Sequence, residues 1–255
     1  TEPTVDDAIR IARMHVHSEE SLTSRAYLRT AIELDPSRGS EVLPDLAYVE
    51  IRNLDDDTVT IEDVRETARS LFADDSVDAA DKVDIALMLN RAAAKHDAPD
   101  LVKEFLPAAL AAAEGSDDED VVSQRADLEI AHALVVLDDP EVAVEIKRGS
   151  MPEGWTDDAN ELNSFAWWCF EHEVNVDEAI ELARKGVELA EPGSEKAMIL
   201  DTLAELCNLD GNCDEAIALI DQAIEQDPDR EYFKKQRERF EKILAEANGA
   251  TTTES

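Results

Sequence analysis

Cys169 and His172 stand three residues apart in "FAWWCFEHE" (165–173), beside the paired tryptophans Trp167 and Trp168. On a helix that spacing places a thiol and an imidazole on one face, as half of a metal site would need. A structural zinc requires four ligands, and only Cys207 and Cys213 remain to complete the set. The three cysteines contain no C-x-x-C pair, which removes both a disulfide scaffold and a thioredoxin-type redox pair. In an exported chain, a disulfide between Cys207 and Cys213 is conceivable across the turn they flank. Six residues with a helix end between them work against the required Cα separation. Asp210, Asn212 and Asp214 in "DGNCDEAIALID" imitate a calcium loop, but Glu215 stands where that loop needs glycine. His15 and His17 fall on different faces of a helix and have no ligand partner at suitable spacing. No nucleophile elbow, phosphate loop, dinucleotide fingerprint or H-E-x-x-H occurs. The expectation is a non-enzymatic chain with no metal and no cofactor.

The elements that would position these residues are helices. Ala, Leu, Glu and Asp dominate the 255 residues, aromatics are only 5%, and β-branched runs are few. No apolar stretch is long enough to span a membrane. Against 24 lysines and arginines stand 61 acids, a net charge of −37, spread along the whole chain. Such a chain repels phosphate backbones and anionic lipid, so nucleic-acid and membrane-surface roles are disfavoured. A solvated acidic surface, the acidic coat of a salt-adapted protein and a surface for a basic partner all agree with this balance.

An internal repeat sets the architecture. Residues 162–192 and 200–228 align so that Leu162 matches Leu200, Phe165 matches Leu203 and Ala166 matches Ala204. Cys169 matches Cys207, Ala179 matches Ala216 and Pro192 matches Pro228. Each copy has apolar residues at i, i+3, i+4 and i+7, then a turn, then a second amphipathic helix ending before proline. Recurrence of the cysteine at one repeat position marks Cys169 and Cys207 as small core residues rather than ligands.

The pattern resembles the tetratricopeptide repeat, a stacked helix–turn–helix unit of about 34 residues. Leu203-Ala204, Gly211, Ala216, Ile220, Ala223 and Pro228 carry the likeness, with Cys207 where an aromatic is usual. Residues 8–36 fit the same template through Ile11-Ala12, Leu28, Ala31 and Pro36. Segments 39–75, 76–115 and 116–149 read as degenerate hairpins. The expected fold is an all-α solenoid of about six hairpins with a C-terminal capping helix. Its parts are degenerate hairpins over 1–149, a joint at 150–160, two repeats and the cap over 161–247, and a disordered tail at 248–255.

Residues 160–245 further resemble the C-terminal helical region of bacterial thioredoxin-family proteins, without the thioredoxin domain. That likeness implies a periplasmic or secreted scaffold attached to, or serving, a thioredoxin-like protein. A structural spacer, or a thiol accessory working through Cys207 and Cys213, are the alternatives. The repeat resemblance also implies a concave groove lined by one face of each first helix. Here that face holds Asn160, Asn163 and Trp167, then Met198, Asp201 and Glu205. Asparagine can pair with a peptide backbone and tryptophan gives a rigid anchor. The expected partner is a protein or peptide, basic or mixed apolar and basic.

Overall fold

The computed structural model describes residues 4–251, with side chains through 247. Among the described residues it is all-α, built from helical hairpins without a strand. The helices are α1 (Val5–His15), α2 (Ser21–Leu34), α3 (Gly39–Arg52), α4 (Ile61–Ala73), α5 (Ala79–Lys95), α6 (Asp100–Lys103) and α7 (Leu106–Ala113). They continue as α8 (Glu119–His132), α9 (Pro140–Ser150), α10 (Ala159–His172), α11 (Val176–Leu189), α12 (Ser194–Leu209), α13 (Cys213–Gln226) and α14 (Glu231–Thr251). Contacts divide the chain into two compact units, Thr1–Ala143 and Val144–Ser255, and the division falls inside α9.

In the first unit α1 pairs with α2 and α3 with α4, while α5 pairs with the broken helix α6–α7. Pro107 lies in the first turn of α7, where a missing N–H leaves nothing unsatisfied, so the chain restarts a helix there. Thr60 and Asp63 close a reciprocal capping box at the start of α4. Leu71, Leu89, Leu101, Leu106 and Leu128 are fully buried in the larger core, and α1–α3 share a smaller one around Leu28 and Leu46. Residues 116–149 hold α8, one π turn over Ala133–Leu137 that ends at left-handed Asp138, and most of α9.

The second unit carries the repeat seen in the sequence. The residues matched between the two copies on their first and second helices are all buried: Leu162 with Leu200, Phe165 with Leu203, Ala166 with Ala204, Cys169 with Cys207, and Ala179 with Ala216. Burying such pairs, at about 1.5–3 kcal/mol for each large side chain, is what docks one hairpin on the next. The turns differ. Gly211 takes a left-handed conformation (φ 86°) between α12 and α13, whereas the α10–α11 turn uses Glu173 and Asn175 at φ 53° and 51°. The extra residue there leaves two side-chain-bearing residues in a region that costs them about 1 kcal/mol each. Phe233 and Phe240 of α14, seven residues apart, are fully buried in the same core.

Backbone over 248–251 continues α14, because extending a helix already nucleated by packed residues adds a hydrogen bond for each residue ordered. Residues 252–255 lie outside the described residues.

Candidate functional site: one face of α10, α12 and α14

Three helices of the second unit each present a face at one-turn spacing. α10 carries Asn160, Asn163 and Trp167; α12 carries Met198, Asp201 and Glu205; α14 carries Tyr232, Gln236 and Arg239. Asp158 caps α10 by accepting the N–H groups of Asn160 and Glu161 at 2.9 and 3.1 Å. The start of α12 is tied to the end of α13, with Gly193 N–H donating to Gln226 at 3.0 Å and Ser194 to Asp227 at 2.9 Å.

Not every expected groove residue is open. Asn160 is exposed and donates to Glu195 at 2.6 Å, while Asn163 and Trp167 are partly buried. Trp167 packs on Phe170 with the rings tilted at 43° and their centroids 5.0 Å apart, whereas Trp168 packs against the core and stacks on His172 at 4.8 Å. Asp201 and Glu205 depart from an open groove, being only 2% and 4% exposed. The reason is α14, whose Phe233 and Phe240 anchor it against the core and lay its polar face over α12. Tyr232 Oη donates to Asp201 Oδ2 at 3.1 Å, and Gln236 Nε2 donates to Glu205 Oε1 at 2.7 Å. The Arg239 guanidinium also pairs with Glu205 Oε1, its plane lying 4.6 Å from the Phe240 ring centre.

These bonds use one oxygen of each carboxylate. Asp201 Oδ1, Glu205 Oε2 and Asn163 Oδ1 are buried without a hydrogen-bond partner. Burial, then the neighbouring Glu205 charge, pushes the Asp201 carboxyl up to about 6, against the opposing effects of Tyr232, Arg239 and Arg230. Above them the surface is apolar at two points: Met198 is 36% exposed and Tyr232 41% exposed. The face therefore combines apolar contact points with an under-neutralised acidic pair. A cation brought beside that pair gains charge-assisted hydrogen bonds in a desolvated setting. The repeat register identified Asp201 and Glu205 but not their cover, which lies outside the repeat. The covering residues could have been suspected from Tyr232, Gln236 and Arg239 recurring at i, i+4 and i+7.

The candidate chemistry around "FAWWCFEHE" does not converge. Cys169 is fully buried and its thiol is pushed up to about 12 by burial, while exposed His172 bonds the Trp168 carbonyl at 2.9 Å through Nδ1. Among the described residues no group of His, Cys, Asp or Glu is arranged to hold a metal ion. Cys207 and Cys213 are both free thiols here. Cys207 is buried within α12, its thiol pushed up to about 11 by burial, and the Cys213 thiol donates to Asn208 Oδ1 at 3.6 Å. Burial of Cys207 disfavours the thiolate that redox exchange requires. His15 contacts Glu20 at 3.2 Å and His17 packs edge-on against Tyr48. Asp210, Asn212 and Asp214 end α12 and start α13, where Asn212 caps the helix by accepting the Glu215 N–H.

No family model and no curated protein matches the chain. Among solved structures it is similar to YrrB, a TPR protein with an unusual peptide-binding site, at 16% identity and a TM-score of 0.42 over 91% of each chain. It is also similar to BtubC (BKLC) from P. vanneervenii, at 17% identity and a TM-score of 0.45 over 87% of this chain and 90% of that one.

Proposed function

We propose that the second unit is a non-catalytic interaction module whose α10–α12–α14 face binds a peptide segment carrying a basic residue next to apolar ones. The observation that carries this reading is the Asp201–Glu205 pair, desolvated but with one oxygen of each carboxylate unpartnered. A position serving packing alone gains nothing from two neighbouring acids, and local conflicts of this kind concentrate at functional sites. A lysine or arginine from the partner would displace Arg239, whose side chain is 42% exposed, and complete the hydrogen bonding of the pair. Met198, Tyr232 and Trp167 supply contact area around it, and Asn160 and Asn163 supply groups for a peptide backbone. The resemblance of residues 160–245 to thioredoxin-family proteins supports a thioredoxin-like protein, or a domain joined to this chain, as what the module serves.

Fluorescence titration with short peptides tests the proposal. A Leu-Arg-Leu-type peptide should bind saturably, and its Leu-Glu-Leu counterpart should not. Trp167→Ala should weaken the basic peptide about tenfold or more, as loss of a partly exposed aromatic anchor does. Its far-UV circular dichroism and thermal midpoint should stay close to the parent's, because Trp167 packs on Phe170 rather than into the core. A collapse in stability would instead make Trp167 a packing residue and remove it from the binding face.

A further inference from the structure

The first unit holds a second place where the charge balance of the chain is reversed. A pocket of about 450 Å³ between α3 and α5 is lined by Tyr48, Ile51, Arg52 and Asp55 from the first helix and its end. From α5 and its end come Met88, Arg91, Ala92, Lys95 and His96. Two arginines, a lysine and a histidine thus face a single carboxylate, in a chain where acids outnumber lysines and arginines 61 to 24. That carboxylate is already engaged: Asp55 pairs with Lys95 and lies 3.6 Å from His96 Nε2.

The two guanidiniums are different. Most arginines of this chain pair with a carboxylate. Of the others, Arg125 bonds the Ala113 carbonyl, and Arg230 lies over the Tyr232 and Phe233 rings. Arg52 donates only to the Tyr48 hydroxyl, at 3.2 Å, and among the described residues Arg91 has no hydrogen-bonding or ionic partner. Two arginines left without acids in so acidic a chain, at the rim of one pocket, hold two positive charges in reserve. The floor between them is apolar, made by Ile51, Met88 and Ala92.

We propose that this pocket is an anion site for a phosphate monoester carried on an apolar body. Arg52 and Arg91 hold its oxygens, and Ile51 and Met88 contact the body. A phosphate monoester carries about −1.5 to −2 charge at pH 7 and three acceptor oxygens, matching two free guanidiniums, whereas one carboxylate leaves half of that charge unbalanced. Such a group reaches the pocket either as a free small molecule or on a phosphotyrosine side chain.

Calorimetric titration of the full chain with phenyl phosphate, at about 0.15 M salt so that long-range repulsion is screened to about 8 Å, tests it. Phenyl phosphate should bind saturably, tighter than inorganic phosphate and at least tenfold tighter than benzoate. Arg52→Gln and Arg91→Gln should each weaken it about tenfold, with unchanged helicity because both side chains are exposed. A phosphotyrosine peptide that outcompetes phenyl phosphate assigns the site to a phosphoprotein. Equal or weaker binding of that peptide assigns it to a free ligand, and either result upholds the anion site. Absence of saturable phenyl phosphate binding, benzoate binding equally well, or full affinity in both variants would overturn it.

Discussion

Asp201→Asn raises the stability of the second unit and weakens its hold on a basic peptide. A carboxyl held at about 6 against an ordinary 3.8 costs about 3 kcal/mol when ionised at pH 7. Asparagine keeps an oxygen to accept from Tyr232 and carries no charge to desolvate, so up to about 3 kcal/mol returns to the folded state. All three tryptophans, Trp155, Trp167 and Trp168, lie in this unit, so the urea midpoint read by tryptophan fluorescence reports it directly. The pH dependence follows in sign. Between about 4 and 6 the native state binds more protons at Asp201 than the unfolded chain does. The contribution of this residue is therefore fully present below about 4 and is lost as pH rises through about 6. The variant should lose that component of the slope. Peptide binding runs the opposite way in the parent protein, strengthening from pH 5 to pH 7.5 as Asp201 ionises and can pair with the incoming cation.

Glu50→Gln should do the reverse. Glu50 is also fully buried, but its carboxylate is satisfied from three sides. Arg25 Nε donates to Oε1 at 2.8 Å, Arg29 Nη2 donates to the same oxygen at 2.7 Å, and Thr67 donates to Oε2 at 2.6 Å. Asp63 pairs with the Nη2 of both guanidiniums, at 3.0 Å from Arg25 and 2.9 Å from Arg29, where the Arg29 Nη2 is shared with Glu50. An amide in place of this carboxylate removes the charge that balances the two guanidiniums and weakens the charge-assisted bonds they make. Breaking a buried pair by losing one partner costs about 3–5 kcal/mol. Because Arg29 reaches solvent, about 3 kcal/mol is the expected loss. Hydrogen exchange of the α2–α4 amides, which this network joins, should accelerate in the variant. Two buried acids thus give opposite outcomes on neutralisation: Glu50 has acquired its partners within the fold, and Asp201 retains one oxygen without any.

This contrast also shows what the sequence made legible. Small and apolar residues recurring in register, such as Ala166 with Ala204 and Cys169 with Cys207, revealed the hairpins because packing repeats whenever the unit repeats. The same register places Asn163 and Trp167 on α10 at positions equivalent to Asp201 and Glu205 on α12. It could not show that α14 would cover the two acids, since that depends on a contact between elements about thirty residues apart. The α3–α5 pocket escaped for a related reason. Arg52 and Arg91 lie in hairpins whose repeat residues have degenerated, and nothing local marks two arginines as sharing a pocket. Only Arg91 and Lys95, one turn apart on α5, gave a local sign of positive charge. The left-handed Glu173 was likewise invisible, because glutamate has no preference for that region, whereas asparagine at 175 does favour it.

The measurement that bears most directly on the binding face is the affinity of one basic–apolar peptide for the parent protein and for Asp201→Asn, taken at pH 7 beside their urea midpoints. The variant should be the more stable protein and the weaker binder, by about tenfold, as loss of one charged contact implies. A variant that gains stability and binds the peptide as tightly as the parent would contradict it, leaving Asp201 a buried acid with no part in recognition.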